Sequence, residues 1–352
     1  MAVDFDSGAT LADRMRRHGD ERQHLYGHLM RAMADDWEAG GPVREICRGW
    51  EDSPPGSVVQ LRLLAGLFRL VLTGRAPELV PYYPCLGGNR PPEQAWPVVR
   101  AVLGRHVAEL RAGLDTAPQT NEVGRSAALL VGLFEAVRQT RLSAVRLLEP
   151  GASAGLNLLV DRFRFVNPSW SAGPADSPLV IKNTVVGPVE PADVEIVSRR
   201  GCDLAPVDAS TADGRLRLRS FVWPFQTARH DRLVAALEIA QRWPVEVDRA
   251  GAGEWLESRL AEPVDDGVLT VVWHSITRMY WPEEETARVE AAIRSAAGRV
   301  PVAEVSMEYP DSGGDDRPAL TVGVAGAGGA DWQTLRLAEV GDHGTPVTLV
   351  DR

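Results

Sequence analysis

Within nine residues, Glu149-Pro150-Gly151-Ala152-Ser153-Ala154-Gly155-Leu156-Asn157 gathers an acid, a hydroxyl, an amide and two glycines. It follows the apolar run Val145 to Leu148. A glycine turn at the end of a buried strand is where a doubly wound sheet opens its ligand crevice. Gly151 lets the chain turn sharply there, and Gly155 lets backbone and ligand approach closely. Glu149 can meet a ligand hydroxyl or ammonium. Ser153 is a candidate nucleophile, and His230, His274 and His343 follow it as possible bases. His274 ends the apolar run from Val268, with Ser275, Arg278 and Tyr280 close behind. Histidine is the usual proton acceptor near neutral pH, so His274 is read as catalytic, with Tyr280 beside it. Upstream, Asn121, Glu122 and Arg125 form a polar run before an apolar helix. It caps that helix, or it grips a polar substrate, with Glu122 as an alternative proton acceptor.

The spacing of the glycines narrows the ligand. A dinucleotide fingerprint needs G-x-G-x-x-G, and a phosphate-binding loop needs Gly-Lys-Ser/Thr; neither is present. Glu-x-Gly-x-Ser-x-Gly after a strand resembles the first motif of class I S-adenosylmethionine-dependent methyltransferases. The string G-x-S-x-G is also the nucleophile elbow of α/β hydrolases, and a plain structural turn would need no ligand at all. In the methyltransferase reading the cofactor lies across Glu149, Gly151, Ser153, Ala154, Gly155 and Asn157. Asp203, at the end of the next strand region, accepts the ribose hydroxyls. Asp248, after the third strand, meets the adenine amino group. Asn121, Arg125, Trp223, Ser275 and Glu308 would hold the substrate, Trp223 as part of an apolar wall and Glu308 from the end of the fifth strand. Glu304 stands at the other side of that strand. No two-histidine-plus-carboxylate spacing marks a metal site.

The chain has 352 residues and a formal net charge of −10. Phosphate recognition needs basic patches, so nucleic acid is not the expected partner. Cys47, Cys85 and Cys202 are odd in number and widely spaced, which fits a reducing cytoplasm rather than a disulfide framework. The first twenty residues carry four aspartates and no apolar core of a signal peptide. No apolar stretch approaches the roughly 20 residues of a membrane helix. The expected partner is a small molecule; oligomeric state is left open.

Residues 1–143 read as helices. Leu61 to Leu72 has a 3.6-residue apolar period, and Trp96–Leu114 and Ser126–Gln139 repeat it. They form a helical N-terminal domain or lid. From residue 144 strands alternate with helices: Val145–Glu149, a helix to Phe163, a Pro/Gly/Asn-rich insertion at about 166–192, then Val194–Val197 leading to Asp203. There follow a helix over 226–242, a short strand Val245–Val247, a helix over 254–260, Val268–His274, a helix over 283–297 and Val302–Met307. Leu320–Val324 and Leu335–Val340 close as an antiparallel pair around Gly326 to Gly329. Such alternation is the mark of a mostly parallel α/β sheet, here Rossmann-like and of the class I methyltransferase type. The short Asp311 to Arg317 loop stands where that fold has a helix.

In order and spacing, TNEVGR, LLEPGASAGLNL, GCDLAPVD, the VWP segment and VVWHS…Y resemble a bacterial family known as domain of unknown function 2332. The resemblance spans nearly the whole chain. It implies a methyltransferase-like fold with an added helical region, and the family label carries no established activity. Arg278-Met279 stands where glutamine is usual, which weakens any role of Arg278. The leading expectation is methyl transfer to a small polar metabolite. A non-catalytic binding protein of the same fold and a serine hydrolase using Ser153 are the alternatives.

Overall fold

A computed structural model describes residues 9–19, 22–310, 317–325 and 332–350. The chain forms two compact units. One takes residues 1–120 and 212–231, the other 121–211 and 232–352. The expected boundary at residue 143 therefore moves, because the helix before the sheet packs on the sheet.

The first unit is helical: α1 Leu11–Gly19, α2 Leu25–Glu38, α3 Pro42–Ile46, α4 Val59–Leu72, α5 Trp96–Arg105 and α6 Val107–Gly113. The segment expected as one helix over 96–114 breaks at His106, whose φ of −120° leaves helical geometry just after Gly104. The Pro/Gly/Tyr-rich loop after α4 becomes short 3₁₀ turns that bury Tyr83. Leu29, Met30, Met33, Leu63, Phe68 and Tyr83 form the core.

In the second unit α7 (Ser126–Thr140) precedes β1 (Ala144–Pro150). Four short strands follow: β2 Arg164–Asn167, β3 Trp170–Ala172, β4 Val180–Lys182 and β5 Val185–Val186. Next come β6 Glu195–Asp203, α8 Ala212–Ser220 of the first unit, α9 Thr227–Arg242, β7 Val247–Arg249 and α10 Ala252–Leu260. The chain ends with β8 Val268–Ser275, α11 Glu283–Ala297, β9 Val302–Glu308, β10 Ala319–Ala325, β11 Trp332–Val340 and β12 Val347–Leu349. The sheet order is β5-β12-β11-β10-β9-β8-β1-β6-β7. The run from β7 through β6, β1 and β8 to β9 is wholly parallel; β10, β11 and β12 add antiparallel strands.

The apolar run in β8 is a strand buried on both faces, as a parallel sheet between helices requires. Val302 of β9 lies with Trp255, Leu256 and Ile293 of α10 and α11. Val305, an odd number of residues on, faces the other way. There a Cβ on Gly132 of α7 would fall 2.2 Å from its Cγ1, so only glycine allows that approach. Because the order reverses at β1, with β6 on one side and β8 on the other, the crevice of such a sheet opens at the carboxyl ends of β1 and β8.

Three expectations change. The helix to Phe163 is a 3₁₀ segment, Leu156–Arg162, with Leu159 outside helical geometry. Arg199 explains this: its guanidinium holds Asp161 and takes the Leu158 carbonyl, a helix acceptor, before Arg164 enters β2. The insertion has strands of its own. It builds a small sheet, β3-β2-β4, and sends β5 to the edge of the main sheet beside β12. The second strand runs the full length of Glu195–Asp203, its charged Arg199 and Arg200 held by Asp161 and Asp248. Residues 311–316 and 326–331, with most of the expected loop and turn, lie outside the described residues.

Candidate functional site

The turn after β1 is pinned from three sides. Gly151, Ser153 and Gly155 take φ values of +76°, +56° and +71°. The Gly151 and Ala152 amides donate to the Cys202 carbonyl at 2.8 and 2.9 Å. Asp203 accepts from the Ser153 amide at 2.9 Å through one carboxylate oxygen and from Ala205 at 2.8 Å through the other. Asn121 Oδ1 accepts from Ala154 at 3.2 Å and Leu156 at 2.9 Å. A Cβ on Gly151 would lie 2.3 Å from Thr277 Oγ1, so the segment after β8 closes on the turn. One on Gly155 would lie 3.0 Å from Val247 and 3.1 Å from Val245. Asn121 and Asp203, both expected to face ligand, thus shape the loop itself.

Around this turn lie buried polar atoms that close no hydrogen bond of ordinary geometry, although Asn157 and the Trp273 indole lie near enough to Glu149 to act on its carboxyl. Glu149 is 2 % exposed, Ser153 4 % and Asn157 2 %. Glu149 Oε2, Ser153 Oγ, Asn157 Oδ1 and the Trp273 indole N–H have no hydrogen-bond partner. Buried polar groups are seldom left so, because each unmade bond costs about 1–3 kcal/mol. Burial pushes the Glu149 carboxyl up to about 8, against the opposing pull of Asn157, Trp273 and Arg125. It is therefore largely protonated at neutral pH.

His274 differs from its expected role. It lies 3 % exposed at the end of β8. Nδ1 donates to Glu308 Oε1 at 2.8 Å and Nε2 to Glu304 Oε1 at 3.3 Å. Burial pulls its proton affinity down, but the two carboxylates outweigh burial and hold it up at about 9. Burial would raise Glu304; bonded to His274, it stays below its ordinary value. His274 is a cation at neutral pH with both nitrogens engaged, so it is not a general base. Glu308 faces it and also accepts from the Thr277 amide at 3.2 Å.

The Asn121–Arg125 run reaches the same end of the sheet. Arg125 donates to the Ser275 carbonyl at 2.8 Å. Glu122 caps the turn through the Gly124 amide and lies 3.6 Å from His343 and 3.9 Å from Arg232. Other expected residues are not brought in. Asp248 is held by Arg200 and the Trp255 indole, so its oxygens serve β6 and α10. Tyr280 is 75 % exposed in a 3₁₀ turn. Trp223 belongs to the helical unit, packed among His18, His24, Tyr26 and Phe225 with Arg22 over its ring.

The residues 9–349 match the model of a bacterial family described as an uncharacterized protein conserved in bacteria, domain of unknown function 2332. The chain belongs to this family. No curated protein and no solved structure matches it. The motifs that carry the family resemblance thus become a turn with its anchors: Asn121 and Asp203 hold the loop, and Glu149, Ser153 and Asn157 carry buried polar atoms without hydrogen bonds. Sequence reasoning missed two members of this group. Trp273 reads as one more apolar strand residue, and Thr277 lies in a short polar stretch without pattern. Only the glycine opposite Thr277, at Gly151, hinted that something had to come close.

Proposed function

We propose that this protein is an S-adenosylmethionine-dependent methyltransferase acting on a small polar metabolite, on a Rossmann-like sheet of the class I methyltransferase type. The observation that carries the reading is the set of unbonded, buried atoms at the switch point of the sheet. Glu149 Oε2, Ser153 Oγ and Asn157 Oδ1 are three oxygens suited to an ammonium, and the Trp273 N–H suits a carboxylate oxygen. An amino-acid end joined to a nucleoside meets that chemistry. When bound, the cofactor supplies an electrophilic methyl group. Gly151, Ser153, Ala154, Gly155 and Asn157 would form its cradle, and Asp203 keeps that cradle in shape. The net charge of −10 favours a small-molecule partner over a phosphate backbone.

The proton acceptor is not His274, which is already charged. Glu149, with a carboxyl at about 8, is largely protonated at neutral pH and is not the acceptor there either. The hydrolase alternative has one feature in its favour, the positive φ of Ser153. Against it, no histidine hydrogen-bonds the Ser153 hydroxyl among the described residues, and His274 is occupied by carboxylates. S-adenosylhomocysteine at 100 times its dissociation constant should stabilise the protein by about 2.7 kcal/mol in a thermal melt, and Asn157→Ala should lose that shift. No shift at saturation overturns the proposal. Labelling of Ser153 by a fluorophosphonate would move the assignment to a hydrolase.

A further inference from the structure

We propose that the pocket at the carboxyl ends of β8 and β9 is a second ligand site, and that it takes a small organic amine. The pocket holds about 440 Å³ and is lined by Arg278, Met279, Glu283, Thr286, Glu308 and Tyr309, among others. That volume lies in the range of roughly 300–1,000 Å³ typical of small-molecule sites.

Glu308 is the group that gives the pocket its chemistry. The residue is 9 % exposed and lines the pocket. Its Oε1 takes both internal bonds, from His274 and from the Thr277 amide. Its Oε2 accepts no hydrogen bond among the described residues. A carboxylate fixed at one oxygen and open at the other is a directed acceptor for an N–H donor. Pairing of His274 with Ser306 across β8 and β9 sets this geometry, since Glu304 and Glu308 flank Ser306 on one face.

The charges around the pocket agree. Glu308 and Glu283 line the pocket, and Glu304 lies behind them with its charge countered by His274, Arg294 and Arg278. Arg278 is paired with Glu290 at 3.0 Å, and the Tyr309 hydroxyl donates to Asp342 at 2.9 Å. The carboxylates that line the pocket, Glu283 and Glu308, are the groups that would receive a cation. Tyr309 and Met279 offer ring and thioether surface, against which an ammonium with an apolar body packs well.

Thr277 joins this pocket to the glycine turn. Its amide binds Glu308, and its hydroxyl closes on Gly151. Thr277 therefore touches both a lining residue of the pocket and the glycine turn. Its identification as the acceptor site rests on the methyltransferase reading; the binding of an amine does not.

Isothermal titration of the full chain with benzylamine, benzyl alcohol and benzoate tests the site, without any cofactor present. Benzylamine should bind, and the isosteric alcohol and the carboxylate should not. Glu308→Gln should weaken benzylamine by about ten- to hundredfold, the loss expected for one charge-assisted hydrogen bond. Met279→Arg alters only an exposed rim residue, so it should fold even if Glu308→Gln does not, and it should abolish binding. Benzoate binding as tightly as benzylamine overturns the site, and so does a folded variant of either kind that binds like wild type. S-adenosylhomocysteine is titrated separately. If it fails to bind while benzylamine binds, the methyltransferase reading falls and the amine site stands. If it binds while benzylamine does not, only the amine site falls.

Discussion

Glu149 and His274 are buried titratable groups whose protonation runs opposite to their usual states, and each leaves a mark on stability. Glu149 has an ordinary value of 4.5 and sits at about 8 when folded. Between those values the folded protein holds a proton that the unfolded chain has lost, so stability falls as pH rises through that window. Glu149→Gln should remove that slope and stabilise the protein at pH 8 by about 2–5 kcal/mol. His274 is raised from 6.5 to about 9, so its contribution is complete below 6.5 and lost as pH rises through 9. His274→Gln leaves Glu304 and Glu308 facing each other, and should cost about 3–5 kcal/mol at pH 6, the penalty for breaking a buried pair. The deficit should narrow above pH 9. Urea melts from pH 5 to 10 on wild type and both variants measure the slopes. A wild-type curve flat over that range would remove both assignments.

At the level of elements, the site is a contact between two strand ends. The turn after β1 leans on the Cys202 carbonyl of β6 and stands against Thr277 beyond β8. Gly151 is irreplaceable for two reasons at once: its φ of +76° and the 2.3 Å that would separate an added methyl from Thr277 Oγ1. Gly151→Ala should therefore cost about 2–4 kcal/mol, left-handed strain plus overpacking. Thr277→Ala removes the hydroxyl in the way, so the double variant should recover part of that loss, and a double-mutant cycle by denaturant melts reads the coupling. Strict additivity would show that the two segments do not press on each other. The same closeness explains why the first helix of the expected sheet does not form. Gly155 meets Val245 and Val247, and Arg199 takes the Leu158 carbonyl, so the chain leaves as 3₁₀ and enters β2.

For the whole molecule, discontinuity is the governing fact. The helical unit includes residues 212–231, which lie between β6 and β7 in the chain. Within that unit Trp223 contacts His18, His24 and Tyr26, and Arg69 pairs with Asp213 at 2.7 Å. A fragment of residues 121–352 keeps the segment and loses these partners. Trypsin should then cut it at Arg215, Arg217, Arg219 or Arg229 under conditions in which the full chain resists. Mass spectrometry of a short digest identifies the sites. Equal protection in fragment and full chain would mean that the segment is stable without the helical unit. Among the described residues no helix is long and apolar enough to cross a membrane.

Periodicity alone determined the strong elements. The run Val268 to Trp273 could only be a buried strand, and Glu283–Ala297 carries three acids in its first turn and an apolar face beyond. Strand–helix alternation was enough for a mostly parallel sheet, and glycine spacing was enough to place a special turn at Gly151. Local pattern does not reach what distant segments bring. Arg199 and Arg200 obscured the second strand because their partners, Asp161 and Asp248, are 38 and 48 residues away. The short strands β2 to β5 carry too few residues for a period to show. His274 read as a base because an isolated imidazole is one. The register of β8 against β9, with His274 opposite Ser306, set Glu304 and Glu308 around it and made it a cation. A side chain's type is local, but its charge and its partners depend on strand register, which tertiary packing decides.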